Sequence, residues 1–468
     1  MNIIDAINDF LSTYILVVIL LGTGIYFTIY LGGVQFRMIP EMLRLLFRSG
    51  RAHEEPCDLE KPASRSVTSF QAFALSLASR VGTGNIAGVA IAITIGGPGA
   101  IFWMWVTALI GASNAFVEST LAQLYKVKGE KEYRGGPAYY ILKGIGKKWW
   151  AVLFAILITV TFGLAFNSVQ ANTIDIALKS TFGLDGTWVA FVLAAMTALI
   201  ICGGVHRISR FTQVVVPVMA LGYIFLALWV IILRYEMFPD VIKTIVESAF
   251  GVNQAVGGSL GMALIIGVKR GLFSNEAGEG SAPNAAATAS VTHPVKQGLI
   301  QAFGVYVDTL VVCTATAFII ICSGAVDTGL TGMELTQSAL HSEIGPLAAV
   351  YLTVALFLFA FTSIVANYYY GETNLMFIDS RKKWIIYLFR VIVIGFVFWG
   401  SIAELTVVWA LADITMALMT CCNVAAILVL GKYARRCLKD YRNQLKESKS
   451  PSYTKETIPE IADKTECW

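Results

Sequence analysis

Ala78-Ser-Arg-Val-Gly-Thr-Gly-Asn-Ile-Ala-Gly88 sits in the middle of a run, Val67 to Ile95, that is otherwise apolar enough to cross a membrane. Three glycines, a threonine, an asparagine and an arginine fall within those few turns. Lipid cannot hydrogen-bond to freed backbone, so a helix breaks at that depth only where protein or a watery cavity covers the break. A broken helix at the midplane offers bare carbonyls to cations and, at its half-helix N-terminus, bare N–H groups to carboxylates. The stretch therefore points to a solute and ion site. Read alone it fits a packing face equally well, since Gly84 and Gly88 have the small-xxx-small spacing common between membrane helices.

The composition restricts the setting. Of 468 residues, 56% are hydrophobic and only 14% charged, where a soluble chain would carry about 25% charged residues. This is an all-α polytopic membrane protein, with the lipid bilayer as its first partner. A net charge of +4 gives no argument for nucleic acid. Met1 to Phe10 holds two aspartates and no basic residue, so it lacks the basic start of a signal peptide, and a retained first helix is expected. Eight scattered cysteines without a CxxC pair, and four histidines far apart, read as free thiols and packing residues. Neither a disulfide framework nor a metal centre of the zinc type is indicated.

At about 20 apolar residues per crossing, the chain divides into about eleven helices. These are Leu11–Leu31, Val67–Ile95, Gly99–Tyr125, Trp149–Leu178, Thr187–Gly203, Phe211–Leu233, Gly257–Ala287, Gln297–Ser323, Gly345–Tyr370, Trp384–Ile402 and Leu405–Leu430. Lysine and arginine in short loops mark the cytoplasmic side. Arg37 to Arg65, Lys126 to Lys148, Arg207 and Arg210, Lys296, Arg381 to Lys383 and the tail from Lys432 all fall on one side. The other side shows only Lys179, Arg234 and Lys243 among several acids. The N-terminus is thus expected outside the plasma membrane and the C-terminus in the cytoplasm. The loop with Glu54-Glu55-Pro56 and Lys61-Pro62 reads as solvated, and the polar end of residues 432–468 as a cytoplasmic tail passing into disorder.

Setting the first helix (1–33) aside leaves two sets of five, residues 67–233 and 257–431. The second set opens with its own interruption, Gly267-Val-Lys-Arg-Gly-Leu-Phe-Ser-Asn-Glu-Ala-Gly-Glu-Gly-Ser-Ala-Pro283. Five is odd, so the two sets enter from opposite sides, as a 5+5 inverted repeat requires. Broken segments in corresponding positions of two halves mark a transporter's binding site. That favours the site over the packing face.

Val81-Gly-Thr-Gly-Asn85, Gly96-Gly-Pro-Gly-Ala-Ile-Phe-Trp-Met-Trp105, Arg134-Gly-Gly-Pro137, Gln170-Ala-Asn172 and Gly271-Leu-Phe-Ser-Asn-Glu-Ala-Gly-Glu-Gly-Ser-Ala-Pro283 together resemble the alanine/glycine:cation symporter family, from about Phe70 to about Gly431. The resemblance implies a leucine-transporter-type fold with two discontinuous helices and sodium-coupled uptake of small neutral amino acids. It implies that Thr83, Gly84 and Asn85 hold the substrate's carboxylate and amine, with Gly271, Phe273, Ser274 and Asn275 facing the same molecule. It also implies that the carbonyls of Ala78 and Val81, with Phe359 and the hydroxyls of Thr362 and Ser363 in the ninth helix, face the coupling ion, sodium, which takes oxygen ligands, and that Ser363 lines the substrate pocket as well. Phe166 and Gln170, four apart on one helix face, read as an aromatic wall with an amide beside it. Glu276 is a buried acid in need of a partner, and Arg80, Lys269 and Arg270 are the candidates for a structural or gating ion pair. Many members of that family have tryptophan one turn after the hydroxyl pair, where this chain has Asn367. The shorter amide predicts a larger pocket and a longer polar substrate such as glutamine, with alanine or glycine the default.

An intramembrane enzyme has only Gly257-Gly-Ser-Leu-Gly261 in its favour, and that motif needs a strand-to-helix turn and a partnered histidine. No Walker lysine follows a glycine loop, and a channel would want a repeated filter or charge ring. Proton coupling, prompted by Glu276, is the nearer rival to sodium. Nothing in the sequence calls for an obligate protein partner.

Overall fold

Where no water reaches the peptide groups, a chain this apolar can satisfy its backbone only by folding into helices or a closed barrel. The computed structural model is helical almost throughout. It describes residues 8, 10–48, 67–129, 132–202, 205–251, 260–447 and 450–468. The loop read at Glu54–Pro56 and Lys61–Pro62 lies outside the described residues, as do residues 257–259 of the glycine-serine match.

The first helix, α1 (Val17–Tyr30), is entered through a π-turn at Leu11–Leu16, and α2 (Ile39–Arg48) follows as a short amphipathic helix. Next come α3 (Ser69–Arg80) and α4 (Gly84–Gly96), which meet at a 50° bend. Beyond them run α5 (Gly99–Leu124), α6 (Lys148–Phe182), α7 (Gly186–Ile201) and α8 (Val205–Leu233). The second half holds α9 (Phe238–Ala249), α10 (Leu260–Asn275), the one-turn α11 (Ala282–Ala286) and α12 (Pro294–Ser323). It ends with α13 (Gly332–Ile344), α14 (Pro346–Ile378), α15 (Lys383–Ile402) and α16 (Leu405–Glu447).

Every expected segment has a helical counterpart. Among the described residues eight helices are long and apolar enough to cross a membrane, or nine when α3 and α4 count as one span. The 16-residue α7 and α10 fall below that length.

Two helices lie in the middle of the packing. α5 touches α1, α9, α10, α12 and α16, and from Gly111 onward every one of its residues is buried. α14 is buried without a gap from Phe359 to Asn374. Both carry polar side chains inward, which in a bilayer is favourable only where those groups meet partners.

Both interruptions read from the sequence are present. α3 stops at Arg80 and α4 starts at Gly84. α10 stops at Asn275, and the chain crosses Glu276 (φ 56°), Gly278 (φ 93°) and Gly280 (φ 89°) before α11 begins. Left-handed backbone is natural for glycine but strained for glutamate. Ser79 and Ser281 hold Glu276 there, with their hydroxyls 2.6 and 2.5 Å from its carboxylate.

The basic face departs from expectation. The tail is ordered: α16 continues to Glu447, and residues 450–468 fold back across the helix ends. Tyr453 N–H donates to Thr292 O at 2.8 Å, and the Thr292 hydroxyl donates to Pro451 O at 2.9 Å. Trp468 Nε1 donates to Gln123 O at 3.0 Å, and its ring packs on Val67, Ala72, Ala289 and Val291. Those residues join the foot of α3 to the loop before α12, through a parallel bridge between Val67 and Ala289. Apolar residues spread along a polar sequence supply this docking: Tyr453, Ile458, Ile461 and Cys467 are all buried.

Candidate functional site

Breaking α3 leaves carbonyls without their usual takers. Gly82 N–H would close a helical turn on Ala78 O, but it donates to Asn85 Oδ1 at 2.9 Å instead. α14 brings a hydroxyl to that point. Ser363 Oγ lies 2.8 Å from Ala78 O, 3.5 Å from Val81 O and 3.0 Å from Phe359 O. Thr362 Oγ1 lies 2.8 Å from the same Phe359 oxygen. The five residues expected to face sodium are therefore brought together. One hydroxyl proton cannot serve three carbonyls, and an oxygen cluster short of protons is what a hard cation relieves. Glycine is needed at position 82, because a Cβ there would stand 2.6 Å from Ser363 Oγ and 2.9 Å from Gln170 Oε1.

On the other side of the break, Thr83 N–H donates to Gln170 Oε1 at 3.1 Å, while the Thr83 hydroxyl is buried without a partner among the described residues. Gln170 thus meets the start of α4, where N–H groups face outward along the helix. Phe166 lies 4.5 Å from Phe273 between ring centres, and Phe273 lies 4.6 Å from Trp409. This row of rings packs against Gly84 and Gly88. Thr83, Asn85, Phe166, Gln170, Phe273, Ser274 and Ser363 are each at most 4% exposed, so the site is closed to both faces.

Other expected residues stand elsewhere. Gly271 does not face the break: its Cβ position looks onto Met104 and Thr107 of α5. Asn275 is absorbed by the turn after α10, accepting from Ala277 N–H at 3.1 Å and donating to Thr309 at 3.2 Å. Lys269 and Arg270 do not pair with Glu276. They meet Asp413 of α16 at 2.8 and 2.5 Å, with Arg270 also 4.4 Å above the Trp409 ring. Arg80 donates to Gln301 O at 3.1 Å, and the rest of its guanidinium has no hydrogen-bond partner among the described residues. Asn367 sits one turn past Ser363, its Oδ1 2.7 Å from Ser79 Oγ beside Glu276, and its Nδ2 has no partner among the described residues.

Asp308 of α12 was not anticipated. Asn85 Nδ2 donates to it at 2.6 Å and Ser274 Oγ at 2.7 Å, so the two broken helices are joined through one buried carboxylate. Trp409, Asp413, Glu118 and Glu279 are likewise buried near the breaks. A lone acid inside an apolar run is a functional signal in membrane helices, and Asp308, Glu118 and Asp413 each give it.

The sequence pattern of the sodium:alanine symporter family matches residues 1–455. The chain is 49% identical over 468 residues to a probable sodium/glutamine symporter, GlnT, of Bacillus subtilis, covering all of this chain and 96% of that one. It is also 49% identical over 468 residues to the amino-acid carrier protein AlsT of the same organism, covering all of this chain and 97% of the other. Among solved structures it resembles a manganese transporter of Eremococcus coleocola at a TM-score of 0.53 and 14% identity, covering 85% of this chain and 84% of that one. At that identity the likeness concerns the fold alone. With two interrupted spans, an oxygen cluster where the first of them meets α14, and these relatives, the chain belongs to the sodium:alanine symporter family and is a transporter, not an enzyme.

Proposed function

We propose that this protein imports a small neutral amino acid together with sodium, by alternating access across the plasma membrane. The observation that carries the reading is Ser363 of α14 lying on the carbonyls of Ala78 and Val81 at the break. A cation held there binds two separate helices at once, so its presence favours one arrangement of the bundle. Coupling of that kind is reciprocal: substrate must tighten sodium as much as sodium tightens substrate. The amino acid's carboxylate would take the N–H groups of Thr83 and Gly84, which Gln170 now serves in part, and its amine would lie toward Asp308. Residues 67–233 and 257–431 act as the two inverted repeats, 1–33 as an added helix and 432–468 as a cytoplasmic tail, with the N-terminus outside.

Glutamine is the favoured substrate and alanine or glycine the alternatives. The unpartnered amide donor of Asn367 suits the carbonyl end of a longer side chain, and the name of the GlnT relative points the same way. Uptake into proteoliposomes with and without an imposed sodium gradient tests the coupling, and competition by unlabelled glutamine tests the substrate. If excess glutamine leaves alanine uptake untouched and Asn367→Trp changes nothing, the glutamine assignment fails.

A second reading, proton coupling, rests on a count of charges. Glu118, Glu276, Glu279 and Asp308 are all buried, and among the described residues Arg80 is the cation that acts on each of them. One guanidinium cannot balance four carboxylates in a medium this poor in water. Uptake that persists in sodium-free buffer under a proton gradient would favour this second reading.

A further inference from the structure

The 43-residue α16 is about 65 Å long at 1.5 Å per residue, and the hydrocarbon takes only about 30 Å of that. Its second half stands beyond the apolar layer and is basic along one side. Lys432, Arg435, Arg436, Lys439, Arg442 and Lys446 recur at intervals of one, three or four and line a cleft of about 830 Å³. Ile29, Tyr30 and Leu31 at the end of α1 form the opposite wall.

The cleft's positive charge is poorly answered by protein. Arg436 has a carboxylate, Glu460, at 2.9 Å. Among the described residues Lys432, Arg435, Lys439, Arg442 and Lys446 have none within 4.0 Å. Two neighbouring acids are already engaged: Asp440 with His293 at 3.2 Å, and Glu41 with Arg44 at 2.7 Å. Arg435 lies 4.4 Å above the Tyr30 ring, which holds its guanidinium over the α1 wall.

The α1 wall of the cleft runs on into exposed apolar surface. Ile29, which lines the cleft, is 75% exposed, and Ile25 and Tyr26, one turn before it on α1, are 51% and 44% exposed. A cleft of cations continuous with an outward-facing strip of hydrocarbon matches a molecule with an anionic head and an acyl tail. A free anion would use the first part and leave the second bare. We propose that this cleft is a binding site for an anionic phospholipid, its phosphate among Arg435, Lys439 and Arg442 and its acyl chains along Ile25 and Ile29. Basic pockets beside membrane helices recognise such headgroups through charge within a Debye length.

Native mass spectrometry of the full-length protein, released from vesicles of phosphatidylglycerol and phosphatidylcholine mixed equally, tests the site. Wild type should retain phosphatidylglycerol with about a tenfold preference or more. Arg435→Glu/Lys439→Glu/Arg442→Glu should bring that preference below about twofold, while Lys147→Glu/Lys148→Glu, exposed cations elsewhere on the basic face, should leave it intact. Should the triple variant fold poorly, Arg442→Gln and Lys439→Gln singly should each lower the preference. Equal loss in the Lys147/Lys148 control, no preference in wild type, or full displacement of the lipid by millimolar inorganic phosphate would each overturn the assignment.

Discussion

A methyl group at position 82 separates a cation site from a packing contact. In Gly82→Ala the new carbon would lie 2.6 Å from Ser363 Oγ and 2.9 Å from Gln170 Oε1, where ordinary contact begins at 3.4 Å. Both have to retreat by about half an ångström or more. Ser363 is held in the body of α14, so its retreat lengthens the 2.8 Å approach to Ala78 O and opens the oxygen cluster. Overpacking of this kind costs about 1–3 kcal/mol. At about 1.4 kcal/mol per factor of ten, sodium should bind roughly 5- to 150-fold more weakly. The assay is amino-acid uptake into proteoliposomes against external sodium, read as the half-saturating concentration. Gly395→Ala is the control, because nothing lies within 4 Å of a Cβ there; its half-saturation should stay within about twofold of wild type. If Gly82→Ala also stays within twofold, the oxygens at the break do not hold the coupling ion.

Ser363→Ala removes the hydroxyl that bridges α14 to α3, and the sodium half-saturation in the same assay should rise at least about tenfold; an unchanged value refutes the assignment. Asp413→Asn strips the carboxylate from Lys269 and Arg270, both under a tenth exposed, and should destabilise the protein by about 3–5 kcal/mol. Thermal unfolding in detergent reads this, and Asp413→Asn/Arg270→Gln should recover part of the loss. Burial raises the Glu132 carboxyl from 4.5 to about 7, opposed by Arg134 and reinforced by Glu372. The folded protein therefore keeps a proton that the unfolded chain releases, and stability falls as pH climbs from about 4.5 to about 7. Glu132→Gln should remove roughly 3 kcal/mol of that slope, visible as unfolding temperatures that differ less between pH 5 and pH 8 than in wild type.

What the sequence disclosed depended on how local the cause was. The apolar runs carry the helices because their length alone decides whether a backbone can live in lipid. Gly82, Gly84 and Asn85 disclosed the first break, and Gly278 and Gly280 the second, since glycine and amide clusters at that depth have few other uses. The oxygen cluster needed more: Thr362 and Ser363 also fit ordinary back-bonding to α14, and only the approach of Ala78 separates the two. Partner choice was the least legible. Glu276 and Arg270 are near in sequence, yet the turn after Asn275 swings the glutamate toward Ser79 and leaves the arginine to Asp413, 143 residues away. The tail misled because its polar composition outweighs a few spaced apolar residues, whose value appears only once Val67 and Ala289 form a surface to receive them.

That docked tail also supplies an optical probe of the resting state. The Trp468 indole is fixed by its N–H on Gln123 and lies 4.9 Å from the Lys126 ammonium, whereas Trp149, Trp188 and Trp384 face outward. Any swing of the α3 foot away from the loop before α12 would release the indole from both neighbours at once. Its emission colour and its access to a water-borne quencher would then follow the transport cycle without a label.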